Sequence, residues 1–117
     1  MPKVSSITRV LEIIEAVSYA SKPLSPLELS QELDIPKPTI HRLIQNLVDE
    51  GFVTVDIGGG IIPGKRVRNL SVELWQQRQF FNERQLILQK LVDEIKETCG
   101  IAIPYQMDMM YTNRANT

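Results

Sequence analysis

Cysteine and histidine each occur once in 117 residues. A lone Cys99 excludes an intrachain disulfide and any cysteine-rich metal site, and a lone His41 has no second histidine with which to hold a metal. No nucleophile stands beside a plausible base, so nothing in the chain points to an enzyme, and neither a cofactor nor a metal is expected. The run Gly58-Gly59-Gly60 lacks the Lys-Ser/Thr and following helix of a phosphate-binding loop and reads as a turn. No apolar run approaches the roughly 18 residues needed to span a bilayer. The opening Met1-Pro2-Lys3-Val4-Ser5 leads into a mixed segment without the apolar core of a secretory signal. The expected location is the cytoplasm, with no membrane partner. A basic balance is missing too: the net charge is −1, unlike that of many nucleic-acid-binding domains.

What is present is ordinary globular material, 43% hydrophobic and 23% charged. Residues 6–20 repeat Ile7, Val10, Ile14 and Val17 at helical spacing, with Leu11 and Ile13 flanking. Ser5 or Ser6 can cap this helix. Ser25-Pro26-Leu27-Glu28 is a helix start: a capping serine, a proline suited to the first position and a glutamate that completes a capping box. Asp34-Ile35-Pro36-Lys37-Pro38 ends that helix in a turn, because proline is poorly tolerated inside a helix and restricts the residue before it. A third helix over 37–50 carries the stripe Ile40, Leu43, Ile44 and Leu47, stopped by Gly51. Phe52-Val53-Thr54-Val55 and Ile61-Ile62, joined through 57–60, predict a β-hairpin, with Pro63 confining the second strand to an edge. Further helices are expected over 65–79 (Val67, Leu70, Leu74) and 83–98 (Leu88, Leu91, Val92, Ile95), the latter stopped by Gly100. Short strands then follow at 101–103 and 109–111.

The order helix, helix, turn, helix, hairpin is that of a winged helix-turn-helix, whose second motif helix enters the DNA major groove. The face of 37–50 opposite the apolar stripe offers Lys37, Pro38, Thr39, His41, Arg42 and Gln45. Arg42 suits a bidentate contact to guanine and Gln45 one to adenine. Thr39, Ser25 and the amides near Lys37 suit phosphate. Lys65, Arg66 and Arg68 cluster just past the wing and are further candidate phosphate contacts. The domain as a whole is not basic, so modest non-specific, salt-dependent affinity is expected.

The stretches Ser6-Ile7-Thr8-Arg9-Val10-Leu11-Glu12-Ile13-Ile14, Leu27-Glu28-Leu29-Ser30, Ile35-Pro36-Lys37-Pro38-Thr39-Ile40-His41-Arg42-Leu43-Ile44 and Glu50-Gly51-Phe52-Val53 together resemble the IclR family of bacterial transcription regulators. The third stretch is similar to the family's recognition-helix signature. The resemblance implies a mainly α fold with a small β-hairpin. Its parts are a winged helix-turn-helix over 1–64, a linker helix over 65–82, and the truncated start of an α/β effector-binding domain over 83–117. It implies a repressor or dual regulator of a catabolic operon, a homodimer or dimer of dimers on a palindromic operator, and a small organic-acid effector whose pocket is absent from this chain. Val67, Leu70, Leu74 and Trp75 are the candidate dimer surface. Two departures from the family stand out: the wing tip carries no basic residue, and Pro63 stands where an apolar strand residue is more usual. The alternative is a winged-helix protein-interaction module, favoured by near-neutral charge and the plain glycine wing. It predicts no salt-sensitive DNA affinity and tolerance of Arg42→Ala.

Overall fold

The computed structural model describes residues 5–105 and 107–117. Lys3 and Val4 at the start and Gln106 between the last strands lie outside the described residues. The order is α1 (Ser6–Tyr19), α2 (Pro26–Leu33), α3 (Lys37–Asp49), β1 (Val53–Val55), β2 (Ile61–Pro63), α4 (Lys65–Gln76), α5 (Arg78–Ile95), β3 (Cys99–Tyr105) and β4 (Asp108–Ala115). Residues up to Leu70 form one unit and Ser71–Thr117 a second.

In the first unit, local signals and tertiary packing agree. Ser5 Oγ accepts from Thr8 N–H and starts α1. Ser25 Oγ accepts from Glu28 N–H at 3.0 Å while Glu28 Oε1 accepts from Ser25 N–H at 3.3 Å, so the expected capping box is formed. Asp34 ends α2 in the left-handed region at φ 53, a conformation that aspartate tolerates better than most residues. One core then gathers Ile13 and Val17 of α1, Leu29 of α2, Ile35 of the turn, Ile40, Leu43, Ile44 and Leu47 of α3, and Val53 and Ile61 of the hairpin. The stripe of α1 is shifted from expectation: Ile13, placed on the flank, is fully buried, whereas Ile7 is 73% exposed.

The hairpin is antiparallel, pairing Val53 with Pro63, Thr54 with Ile62 and Val55 with Ile61. β2 is an edge strand of a two-stranded sheet, as Pro63 leads one to expect, and an isolated bridge lies beyond its first residue. Leu24, in the loop before α2, bridges Ile61 from the other side, Leu24 N–H donating to Ile61 O at 3.2 Å and Ile61 N–H to Leu24 O at 2.6 Å. The donor that proline lacks is made good next door, where Gly64 N–H donates to Phe52 O at 2.8 Å.

A buried hydroxyl that no sequence pattern singles out ties the turn together. Ser30 Oγ donates to Ile35 O at 2.6 Å, and Ile35 N–H returns to Ser30 O at 3.0 Å. This pair sets the angle at which the chain leaves α2 for α3. Ser30→Ala strands a buried carbonyl and is expected to cost about 1–2 kcal/mol, read as a shift in urea midpoint at unchanged slope.

The second unit departs more from expectation. The helices predicted over 65–79 and 83–98 break instead at Gln77, whose ψ of 140 leaves the helical region, so Phe80 and Phe81 lie inside α5. No proline or glycine marks this break. It brings the Arg84 guanidinium 4.0 Å over the Trp75 ring, a contact that sequence spacing does not reveal. The stop at Gly100 is also corrected: α5 ends at Ile95 with Lys96 left-handed at φ 61. Gly100 lies in β3, where a Cβ would meet the Tyr111 ring at 3.3 Å. The strands are longer than expected because β4 continues through the polar Thr112, Asn113 and Arg114. Asn113 is buried, its amide donating to Phe81 O at 3.2 Å and Gln85 Oε1 at 2.9 Å and accepting from Arg84 Nε at 2.7 Å. Of the expected α5 stripe, Leu88 and Val92 are buried, while Leu91 and Ile95 remain 43% and 49% exposed. No described helix is long and apolar enough to cross a membrane.

Candidate nucleic-acid interface

Helix α3 has two faces of opposite character. Ile40, Leu43, Ile44 and Leu47 are all at most 7% exposed and lock it to the core. Pro38, His41, Arg42, Gln45, Asn46 and Asp49 face outward, all exposed, with exposed Lys37 and half-buried Thr39 at the margins. The whole face is thus presented by a helix that cannot roll without withdrawing large aliphatic side chains from the core.

Pro36 occupies the N-cap position and Pro38 lies in the first turn, and no side chain caps the helix. The first-turn N–H groups of Lys37 and Thr39 therefore lack a capping acceptor, and the helix dipole favours an anion there. Lys37 and Arg42 are the cations of α3. Its one acidic residue, Asp49, belongs to this face as well, which the sequence reading does not include. It accepts from Gln45 Nε2 at 2.9 Å, occupying one of the two amide hydrogens and holding the side chain along the helix. Gln45 keeps its carbonyl and a second hydrogen for another group.

The remaining candidates divide. Ser25 is half-exposed with its oxygen engaged in the capping box, and its hydroxyl hydrogen remains a donor. Arg66 is used within the first unit: Nη1 donates to Glu50 O at 3.3 Å, lies 3.7 Å from the Glu50 carboxylate, and the guanidinium sits 4.3 Å from the centroid of the Phe52 ring. It braces the joint between α3 and the wing. Lys65 and Arg68 are exposed on the first turn of α4. Among the candidate dimer residues, Val67 is half-buried, and Leu70, Leu74 and Trp75 are 55%, 52% and 36% exposed. No residue of α4 is buried.

The wing tip is closed by Gly59 N–H to Asp56 O at 2.9 Å and Asp56 N–H to Gly60 O at 2.8 Å, with Gly59 at φ +86. Between Val53 and Pro63 the only charged residue is Asp56. The wing therefore carries no phosphate-binding cation.

The comparisons with known proteins agree with this geometry. Residues 6–56 match the IclR helix-turn-helix domain. The chain is 33% identical over 114 residues to a probable transcriptional regulator, SauR, of Cupriavidus necator, covering 97% of this chain and 45% of that protein. It is 29% identical over 108 residues to the transcriptional repressor IclR of Escherichia coli, covering 91% of this chain and 39% of that protein. An IclR family transcriptional regulator from Brucella abortus has the same fold, with a TM-score of 0.65 at 22% identity over 97% of this chain and 44% of that one. The chain thus spans less than half the length of these relatives.

Proposed function

We propose, from the premise that this chain belongs to the IclR family through its domain at residues 6–56, that it binds duplex DNA sequence-specifically and regulates transcription. The observation that carries this reading is the outward face of α3, where Arg42 and Lys37 stand exposed on a helix whose other face is fully buried. In the reading proposed, α3 lies in the major groove. Arg42 reads a base edge as a two-pronged donor, Gln45 contributes its remaining groups, and the open first turn with Lys37 and Thr39 receives a phosphate. Ser25, Lys65 and Arg68 are lesser phosphate contacts. Arg66, held by Glu50 and Phe52, acts mainly on the orientation of the wing.

The regulator acts as a homodimer on a palindromic site, with Leu70, Leu74 and Trp75 of α4 supporting self-association through exposed apolar surface. The effector is a small organic acid by family resemblance. The protein acts in the cytoplasm and catalyses no reaction.

The test is a titration against duplexes selected from a random pool, at low and moderate salt. Arg42→Ala is expected to weaken binding by about 1–3 kcal/mol and to relax one base position. Lys37→Ala should weaken all duplexes alike and lower the salt slope by about 1. Wild-type binding that ignores salt, or an Arg42→Ala variant indistinguishable from wild type, would refute the reading in favour of a protein-interaction module.

A further inference from the structure

Asp49 stands where a carboxylate is unwelcome on two counts. It is the last residue of α3, at the helix end whose dipole favours cations. It is also the one acid of that helix, and it lies exposed on the face that presents Lys37 and Arg42. The chain is firmly held there. Glu50 N–H donates to Asn46 O at 3.0 Å, Gly51 N–H to Val48 O at 3.1 Å and Phe52 N–H to Leu47 O at 2.9 Å. Ile44 and Leu47 are buried in the core on the inward side. The backbone beneath Gln45 and Asp49 is therefore fixed. The two side chains, one turn apart, meet there, with Gln45 Nε2 donating to Asp49 Oδ1 at 2.9 Å.

This bond decides which way the Gln45 amide faces. The reverse orientation would set Oε1 against a carboxylate, acceptor against acceptor, so Asp49 holds the nitrogen on its own side. What remains to the amide is one acceptor, Oε1, and one hydrogen on Nε2. In the major groove adenine presents one acceptor, N7, and one donor, the N6 amino group, which that remainder matches. Guanine presents two acceptors, N7 and O6, and asks the same amide for two hydrogens. A free glutamine can offer both; one engaged by Asp49 has a single hydrogen left. An exposed pair at this spacing does little for a helix in water, but it gains weight where a groove excludes water.

We propose, resting on the DNA-binding reading above, that Asp49 is a specificity-determining positioning residue, which fixes the Gln45 amide so that it accepts adenine and rejects guanine at the base pair it reads.

The experiment uses the whole chain and a duplex it selects from a random pool. Gln45→Ala first locates the base pair that Gln45 reads, as the position whose preference it abolishes, and the duplex is resynthesised with adenine or guanine there. Wild type should bind the adenine duplex about tenfold more tightly, within the range for one bidentate contact. In Asp49→Ala the ratio should fall to about threefold, chiefly because the guanine duplex gains. Asp49→Asn keeps an acceptor oxygen for Nε2 and loses the charge, so it should hold the wild-type ratio. In a Gln45→Ala background, Asp49→Ala should change no ratio, since it acts through Gln45. The preference at the position read by Arg42 should stay as in wild type throughout. A wild-type ratio in Asp49→Ala, an equal loss in Asp49→Asn, or an effect of Asp49→Ala that survives without Gln45 would each overturn the proposal. So would a Gln45→Ala variant that relaxes no position. If Arg42→Ala also leaves binding unchanged, the DNA-binding reading falls with it; if Arg42→Ala weakens binding, only the role of Asp49 is lost.

Discussion

Ile40→Ala is expected to destabilise the first unit by about 2–5 kcal/mol, the loss of a buried aliphatic side chain plus the cavity it leaves. Ile40 is 0% exposed and lies among Leu43, Ile44 and Leu47 on the face that seats α3. A domain of this size holds only about 5–15 kcal/mol in total, so the substitution removes a large share. It should also weaken DNA binding in parallel, since the outward face depends on the inward one for its position. Calorimetric unfolding compared with wild type checks the first effect, and titration below the new midpoint the second. A midpoint unchanged within error would mean that α3 is not seated as described. Arg42→Ala, on the exposed side of the same helix, should do the reverse: lose affinity and leave the unfolding transition where it was.

Gly64→Ala is the second large effect. A Cβ at Gly64 would stand 2.5 Å from Gly51 O, 2.8 Å from Phe52 C and 2.8 Å from Val53 N. All three are main-chain atoms at the exit from α3, so no side chain can swing away to make room. Gly64 also donates to Phe52 O at 2.8 Å and accepts from Arg68 N–H at 3.1 Å, so it cannot retreat without breaking the joint from hairpin to α4. The expected cost is about 3 kcal/mol, the upper end of overpacking. Gly58→Ala is the internal control: a Cβ there meets nothing within 4 Å, and the change should fall within about 0.5 kcal/mol of wild type. Equal midpoints for the two variants would refute the close approach at Gly64.

Much of the first unit is legible in residue order. The capping box at Ser25 and Glu28, the proline-bounded turn and the stripe of α3 are local patterns that the structure reproduces to within a residue or two. The candidate interface is legible to the same degree, because the outward residues of α3 follow from its inward ones. Its refinements are not. Residue order presents Gln45 as a free amide, yet Asp49 one turn later engages it. It groups Arg66 with Lys65 and Arg68 as a phosphate cluster, yet Arg66 braces Glu50 and Phe52. The buried role of Ser30 has no local signal, because its partner, the Ile35 carbonyl, is met only once the turn has formed.

The sequence by itself determined the helix-turn-helix, the hairpin and the two faces of α3, because caps, breakers and apolar periodicity act between residues a few positions apart. Only the tertiary structure decided that Leu24 pairs with Ile61, that Gly64 packs against the main chain at Gly51 and Phe52, and that Arg66 lies over the Phe52 ring. It likewise decided that the chain breaks at Gln77 and that the polar segment of β4 buries Asn113. These choices join residues distant in the chain, and their energies exist only once both partners have been brought together. Periodicity reports which face of an element is buried; it carries no information about which distant group arrives to meet it.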